Sequence, residues 1–152
     1  MPALAAPDHH ALAQRLPDTV HIGPSTWSFP GWRNIVYGDE YSSAKLSRDG
    51  LNALGAHPVA ALRIDRPFYG PLSVADYARY ANQVPAHFRF IVKAPASVTD
   101  ATGRGDKGAP AGDNPAFLNA HIAIDEFVQP CIAGLAKKPV RSCSRFHRCR
   151  MR

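Results

Sequence analysis

The chain has 152 residues, of which 45% are hydrophobic and 20% are charged, and this composition fits one soluble globular domain with a hydrophobic core. No stretch approaches the roughly 20 apolar residues of a membrane-spanning helix, and the N-terminus lacks the basic and apolar regions of a secretion signal. We therefore expect a cytoplasmic protein without membrane contacts, whose three cysteines are free thiols.

The formal net charge of +6 comes from the C-terminal end of the chain. Residues 137–152 contain seven Lys or Arg and no acidic residue, whereas residues 1–136 contain 11 basic and 12 acidic side chains. The body of the protein therefore has a formal charge of −1, and the composition favours contact with nucleic acid only at the tail.

Three apolar segments, at 20–27, 58–65 and 88–94, are the predicted strands. A polar helix at 47–54 separates the first two. Ser73 and Asp76 have the spacing of a capping box and predict the start of a second helix, which Pro85 ends. The predicted buried face of this helix consists of Tyr77, Tyr80, Ala81 and Val84.

The last helix is predicted to begin at Asp113 or Asn114, with Pro115 in its first turn. Pro130 would kink or end it. Its predicted buried stripe consists of Phe117, Ala120, Ile124 and Phe127. No strand is predicted beyond it, because the apolar pattern is lost after Leu135.

Alternating strands and helices, with nearly continuous apolar strands, predict an α/β fold with a parallel sheet. Ligands of such folds bind beyond the carboxyl ends of the strands. Residues at these ends form the candidate site: Lys93 and Asp65 as candidate catalytic groups, and Ser25, Trp27, Phe68 and Tyr69 as candidate ligand-binding residues.

Each of these residues has more than one interpretation. Lys93 could anchor an anion, move a proton or form a Schiff base, or it could be solvated or paired with Asp65. Asp65 could act as a general base or metal ligand, or could cap a loop. The aromatic side chains could stack on a ligand or cover the core. The sequence does not distinguish an enzyme from a binding protein.

Three sequence blocks, in order, resemble the YecE-like family, also called domain of unknown function family 72. They are IGPSTWSFPGW at 22–32, IDRPFYGPLS at 64–73 and VPAHFRFIVKAPASVT at 84–99. The resemblance covers roughly residues 20–135 and implies a TIM-barrel-like fold without a settled activity. Lys93, Phe68 and Tyr69 match the family pattern, whereas Arg63 and Asp65 stand where the family commonly has Glu and Asn.

A complete TIM barrel needs about 250 residues, so we expect a truncated, partial barrel of about three βα units. The predicted organisation is an N-terminal extension at 1–18, the N-terminal part of the barrel domain at 19–136, and a basic tail at 137–152 that a frameshift could explain. Unpaired sheet edges would favour self-association, and the fragment itself is expected to be inactive.

The predicted function of the full-length form is binding or catalysis on a small polar or anionic ligand at the barrel mouth. The alternative is nucleic-acid binding through the basic tail. No cofactor is predicted. The GRGDKG stretch at 103–108 neither follows a strand directly nor opens a helix, which argues against a nucleotide loop. No metal site is predicted either, because Cys143, His147 and Cys149 supply only three zinc ligands.

Overall fold

A computed structural model describes residues 7–17, 19–58, 61–105 and 109–136, together with the backbone of 140–143. The helices are α1 (Pro7–Gln14), α2 (Ser43–Ala56), α3 (Val74–Ala81), α4 (Ala96–Thr99), α5 (Ala120–Ala123) and α6 (Gln129–Leu135). The strands are β1 (Ala61–Ile64), β2 (Arg89–Lys93), β3 (Thr102–Arg104), β4 (Pro110–Asp113) and β5 (Val140–Cys143). None of the helices within these ranges has the length and hydrophobicity of a membrane-spanning segment.

The central sheet has three parallel strands in the order β1-β2-β5. This confirms the predicted α/β class and the strands at 58–65 and 88–94. The sheet is open within the described part of the chain, so the partial barrel stays a prediction. The strand at 140–143 was not predicted, because its sequence VRSC has no apolar run, yet its backbone continues the sheet beside β2.

The prediction of a strand at 20–27 is wrong. This segment runs beside β1 as irregular chain and is fastened there by a hydrogen bond from the Arg63 amide to the Pro24 carbonyl, 3.0 Å long. Gly23 passes so close to the Ala61 carbonyl that a side chain at this position would overlap it. Ile22 is 57% exposed, so this apolar residue is neither buried nor part of a strand.

One face of the sheet carries the core. In β1 and β2 the residues Leu62, Ile64, Phe90 and Val92 are at most 1% exposed, because their side chains point to the face that the helices cover. The alternate positions, Arg63, Ile91 and Lys93, remain partly or largely exposed. The sheet is thus apolar on its helix-covered face and mixed in character on the other.

The helix after β1 follows its sequence signals closely. Ser73 accepts a hydrogen bond from the Asp76 amide and Asp76 accepts one from the Ser73 amide, which confirms the predicted capping box. All four residues of the predicted face are buried: Tyr77, Tyr80, Ala81 and Val84. The helix ends at Ala81, before Pro85 can disrupt it.

The last helical segment differs from the prediction at both ends. It begins at Ala120 with Asn119 as its N-cap, because residues 115–118 form turns. It continues through Pro130 instead of ending there, since a π-helical turn at Ile124–Val128 precedes the proline and π turns accommodate such disruptions of the hydrogen-bond ladder. Ile124 is 43% exposed, and the buried residues are Phe127, Cys131, Gly134 and Leu135.

Two titratable groups meet inside this core. Burial raises the pKa of the Cys131 thiol to about 11, and burial also raises the pKa of Tyr77. Both groups are therefore neutral at physiological pH. Cys131 is a buried free thiol, in agreement with the expectation for this cysteine, whereas the side chains of the other two lie outside the described residues.

Candidate functional site at the carboxyl edge of the sheet

The ends of β1 and β2 place two predicted residues at one edge of the sheet. Because the strands are parallel, with Ile64 in register with Val92, Asp65 and Lys93 each follow or end a strand at the same edge. The loops that follow these strands form two cavities there. Five of the six predicted residues are divided between these cavities, Lys93 lines neither, and the six do not form one cluster.

The ammonium of Lys93 lies on an aromatic ring. Its Nζ atom is 3.4 Å from the centroid of the Phe68 ring, a geometry that attracts a cation to the negative face of the ring. In the described part of the chain Lys93 forms no ion pair. The interpretation of Lys93 as the partner of Asp65 is therefore wrong.

Asp65 pairs with a residue of the strand that it follows. One carboxylate oxygen, Oδ2, accepts a hydrogen bond from Nη2 of Arg63 at 2.8 Å. The other oxygen, Oδ1, is buried and has no hydrogen-bond partner among the described residues. A buried acceptor without a donor costs about 1–3 kcal/mol, so this oxygen retains the capacity to accept a hydrogen bond.

The first cavity, which we call the arginine cavity, has a volume of about 450 Å³. It lies between the N-terminal half of α2 and the C-terminal half of α3. The side chains on its wall include Ser25, Trp27, Ser47, Asp65, Tyr80 and Gln83, together with three arginines, Arg48, Arg66 and Arg79. Arg48 belongs to α2, Arg79 to α3, and Arg66 to the turn between β1 and α3.

Carboxylates orient the three guanidinium groups without using all their N–H donors. Arg48 binds the neighbouring Asp49 at 3.0 Å. Arg66 and Arg79 share Asp76, at 3.9 and 3.3 Å. Because each guanidinium has five N–H donors, all three retain donors for a further acceptor.

Asp76 is an ionised link between two of these arginines. The side-chain hydrogen bond of Ser73 lowers the pKa of Asp76, and Arg66 and Arg79 lower it further. Since Arg66 also donates to the Tyr80 hydroxyl at 3.4 Å, its guanidinium has two separate contacts with α3. The capping box of α3 thus helps to position the cationic wall.

Trp27 forms the aromatic part of the wall and is fixed at several points. Its indole N–H donates to the Ser47 carbonyl at 3.1 Å, its own carbonyl accepts from the Tyr37 hydroxyl, and its ring lies 5.2 Å from that of Tyr80 in an edge-on arrangement. Trp27 therefore presents a preorganised apolar surface beside the arginines.

The second cavity, the loop cavity, has a volume of about 810 Å³. Its wall includes Phe68, Tyr69, Pro71, Pro95, Arg104 and Asn114. Thr102 and Arg104 of β3, a strand that pairs antiparallel with β4, also line it. Arg104 binds Asp100 at 2.6 Å, and Asp100 is 3% exposed. Tyr69 is 82% exposed, which makes this cavity an open one.

The structure therefore brings together only part of the predicted site. Ser25, Trp27 and Asp65 line the arginine cavity, Phe68 and Tyr69 line the loop cavity, and Lys93 lines neither. Sequence reasoning missed the three arginines. Each lies at a position where a solvated surface charge would be expected, and only the packing of α2 beside α3 brings them to one cavity.

No metal centre is formed by the residues that the structure covers, since no group of three His, Cys, Asp or Glu side chains is placed to hold an ion. The predicted basic tail, and with it His147 and Cys149, lies outside the described residues apart from the backbone of β5.

The fold and the site define an open parallel α/β domain with its cavities at the carboxyl edge of the sheet. The chain belongs to the family described as protein of unknown function DUF72, which matches residues 21–142. This confirms the predicted family, and the match includes most of β5. No curated protein and no solved structure matches the chain.

Proposed function

We propose that this DUF72 domain binds a small anionic ligand in the arginine cavity. The observation that carries the proposal is the convergence of Arg48, Arg66 and Arg79 on one cavity that also contains the predicted residues Ser25 and Trp27. Guanidinium groups with free N–H donors suit carboxylates and phosphates, because they can donate two parallel hydrogen bonds. A cavity of about 450 Å³ is also within the size range of small-molecule sites.

The proposal modifies the sequence prediction of a ligand at a barrel mouth. The ligand class and the edge of the sheet are the same, but the anchoring charges are arginines. Catalysis by Lys93 and Asp65 remains a proposal, as does ligand contact by Phe68 and Tyr69. The partial barrel also remains a proposal, supported by the parallel sheet and its mixed, incompletely covered face.

Substitution of one arginine tests the site. Arg79→Gln removes a positive charge while Asp76 keeps its pairing with Arg66. Since a hydrogen bond to a charged group contributes about 1.5–3 kcal/mol, we expect the affinity for inorganic phosphate to fall roughly tenfold or more. Titration calorimetry at low ionic strength, with nuclear magnetic resonance shifts to locate the site, measures the change.

The matched control is Arg89→Gln. This arginine lies at the amino end of β2 and donates to the His87 carbonyl at 2.8 Å, so its removal changes the net charge equally without touching the cavity. An equal loss of phosphate affinity in both variants would mean that only the overall charge matters, and it would contradict the proposed site.

Lys93→Met tests whether the lysine also anchors the ligand. A loss of phosphate affinity as large as that in Arg79→Gln would extend the site to Lys93. An unchanged affinity would limit the site to the arginine cavity.

A further inference from the structure

The wall of the arginine cavity contains unfilled acceptors as well as donors. Asp65 Oδ1 and Gln83 Oε1 are both buried, and neither has a hydrogen-bond partner within the described ranges. Gln83 donates from its amide nitrogen to the Arg79 carbonyl at 3.2 Å, so this hydrogen bond leaves its amide oxygen unused. The charged oxygens of an anion cannot satisfy these two oxygens, because both partners would be hydrogen-bond acceptors.

A ligand that fits both sets of groups carries a negative charge and several O–H donors. The guanidinium N–H groups would bind the anionic part, while hydroxyl groups would donate to Asp65 and Gln83. The ring of Trp27 offers an apolar surface for the C–H face of a sugar ring, a contact that aromatic side chains commonly make with such ligands.

Access to the two acceptors requires side-chain movement. Both oxygens are covered in this conformation, but the neighbouring side chains of Arg48, Arg66 and Arg79 are 61–68% exposed. Exposed side chains change rotamer within nanoseconds. The cavity wall can therefore rearrange as an anion binds, and the inference requires that this rearrangement expose the two acceptors.

On the basis of the proposed anion site, we propose that its ligand is a hydroxylated anion, a sugar phosphate or sugar acid. The guanidinium donors on the cavity wall favour a negatively charged ligand, and the two buried acceptors favour a ligand that carries hydroxyl groups. An amino acid with an apolar or acidic side chain offers donors only at its ammonium group, whereas a sugar presents hydroxyl groups at several positions of its ring and can reach two separate acceptors.

Five probes test the inference on the unmodified chain: glucose 6-phosphate, inorganic phosphate, glucose, gluconate and aspartate. We expect glucose 6-phosphate to bind roughly tenfold more tightly than inorganic phosphate, since two added hydrogen bonds contribute about 1 kcal/mol each and ordering the ligand offsets part of this gain. Glucose should bind more weakly than either anion. Gluconate, compared with glucose 6-phosphate, then shows whether the preferred anionic group is a carboxylate or a phosphate.

A variant pair locates the hydroxyl contacts. Gln83→Met keeps the length of the side chain and removes its acceptor, so it should lower the affinity for glucose 6-phosphate about threefold to tenfold and leave that for phosphate unchanged. Gln129→Met, on the exposed surface of α6, is the control and should alter neither.

The outcomes separate the inference from the function on which it rests. If phosphate binds in the cavity and glucose 6-phosphate binds no more tightly, the hydroxyl contacts are overturned and the anion site stands. If neither binds, both proposals fail. Tighter binding of aspartate than of glucose 6-phosphate would also overturn the inference, because an ammonium group would then be the partner of the carboxylate.

Discussion

At the scale of single residues, Lys93 illustrates how a charged side chain can end a buried strand. Burying an ammonium group without compensation is costly, and the structure compensates it with the ring of Phe68 at 3.4 Å. The half-buried position of Lys93 keeps the aliphatic part of the side chain near the core. One face of Phe68 is consequently occupied by the cation, and only the remainder of the ring is available to the loop cavity.

A double-mutant cycle with Lys93→Met and Phe68→Leu measures this contact. We expect the two substitutions to be coupled by about 0.5–2 kcal/mol in the free energy of unfolding, because the contact is partly withdrawn from water. Denaturant unfolding of the four proteins gives the coupling. A coupling near zero would mean that the ammonium group is solvated and that Phe68 has no role in positioning it.

At the scale of helices and strands, the contact between α3 and α6 depends on a glycine. A Cβ atom at Gly134 would lie 2.4 Å from Tyr77 Cβ and 2.5 Å from the Val74 carbonyl oxygen. Only the absence of a side chain allows the two helices to approach this closely.

Gly134→Ala should therefore destabilise the domain, although alanine has the higher helix propensity. Because the clash includes backbone atoms, we expect the free energy of unfolding to fall by about 1–3 kcal/mol, as for other overpacked sites. Gly70→Ala is the matched control, since nothing lies within 4 Å of its added Cβ. Equal melting temperatures for the two variants would contradict the proposed packing.

The elements with local signals were predictable, and those governed by distant contacts were not. The capping box of Ser73 and Asp76 and the helical spacing of Tyr77 and Tyr80 predicted α3 correctly, because these signals lie within one helix. The 20–27 segment has only three hydrophobic residues in eight, and the close approach of Gly23 to Ala61 depends on chain packing that no local pattern reveals.

The candidate site was likewise predictable only where local sequence signals defined it. The rule that ligands bind at the carboxyl ends of strands located Asp65 and Lys93 at one edge, and the cavities are found there. The three arginines come from separate elements that meet only after α2 and α3 have packed on the sheet. No spacing in the sequence could have connected Arg48 with Arg79.

For the whole molecule, the separation of charge along the chain bears on the alternative function, nucleic-acid binding. Residues 1–136 have a formal charge of −1, and the positive charge lies in residues 137–152. The backbone of β5 pairs with β2, so a deletion that begins at 137 would remove a strand of the sheet as well as charge. The suitable truncation begins after residue 143.

Removal of residues 144–152 deletes four arginines and leaves a formal charge of +2. We expect any binding of a single-stranded oligonucleotide to depend on these residues, and the slope of log affinity against log salt to fall by about 3. Fluorescence anisotropy over a series of salt concentrations measures both. Undiminished binding by the truncated chain would place the contact on the folded body, where the arginine cavity would be the first surface to test.

The π-helical turn at Ile124–Val128 has a consequence for how related sequences should be aligned. A turn of this kind holds one residue more than the α-helical turn it replaces, and each residue advances a helix by about 100°. The periodicities of α5 and α6 are therefore out of phase by one residue, which explains why a stripe in phase with the buried Phe127 and Cys131 falls on the exposed Ala120 and Ile124 of the preceding segment. A family member with an ordinary α turn here should be one residue shorter, and the gap in its alignment belongs inside the helix.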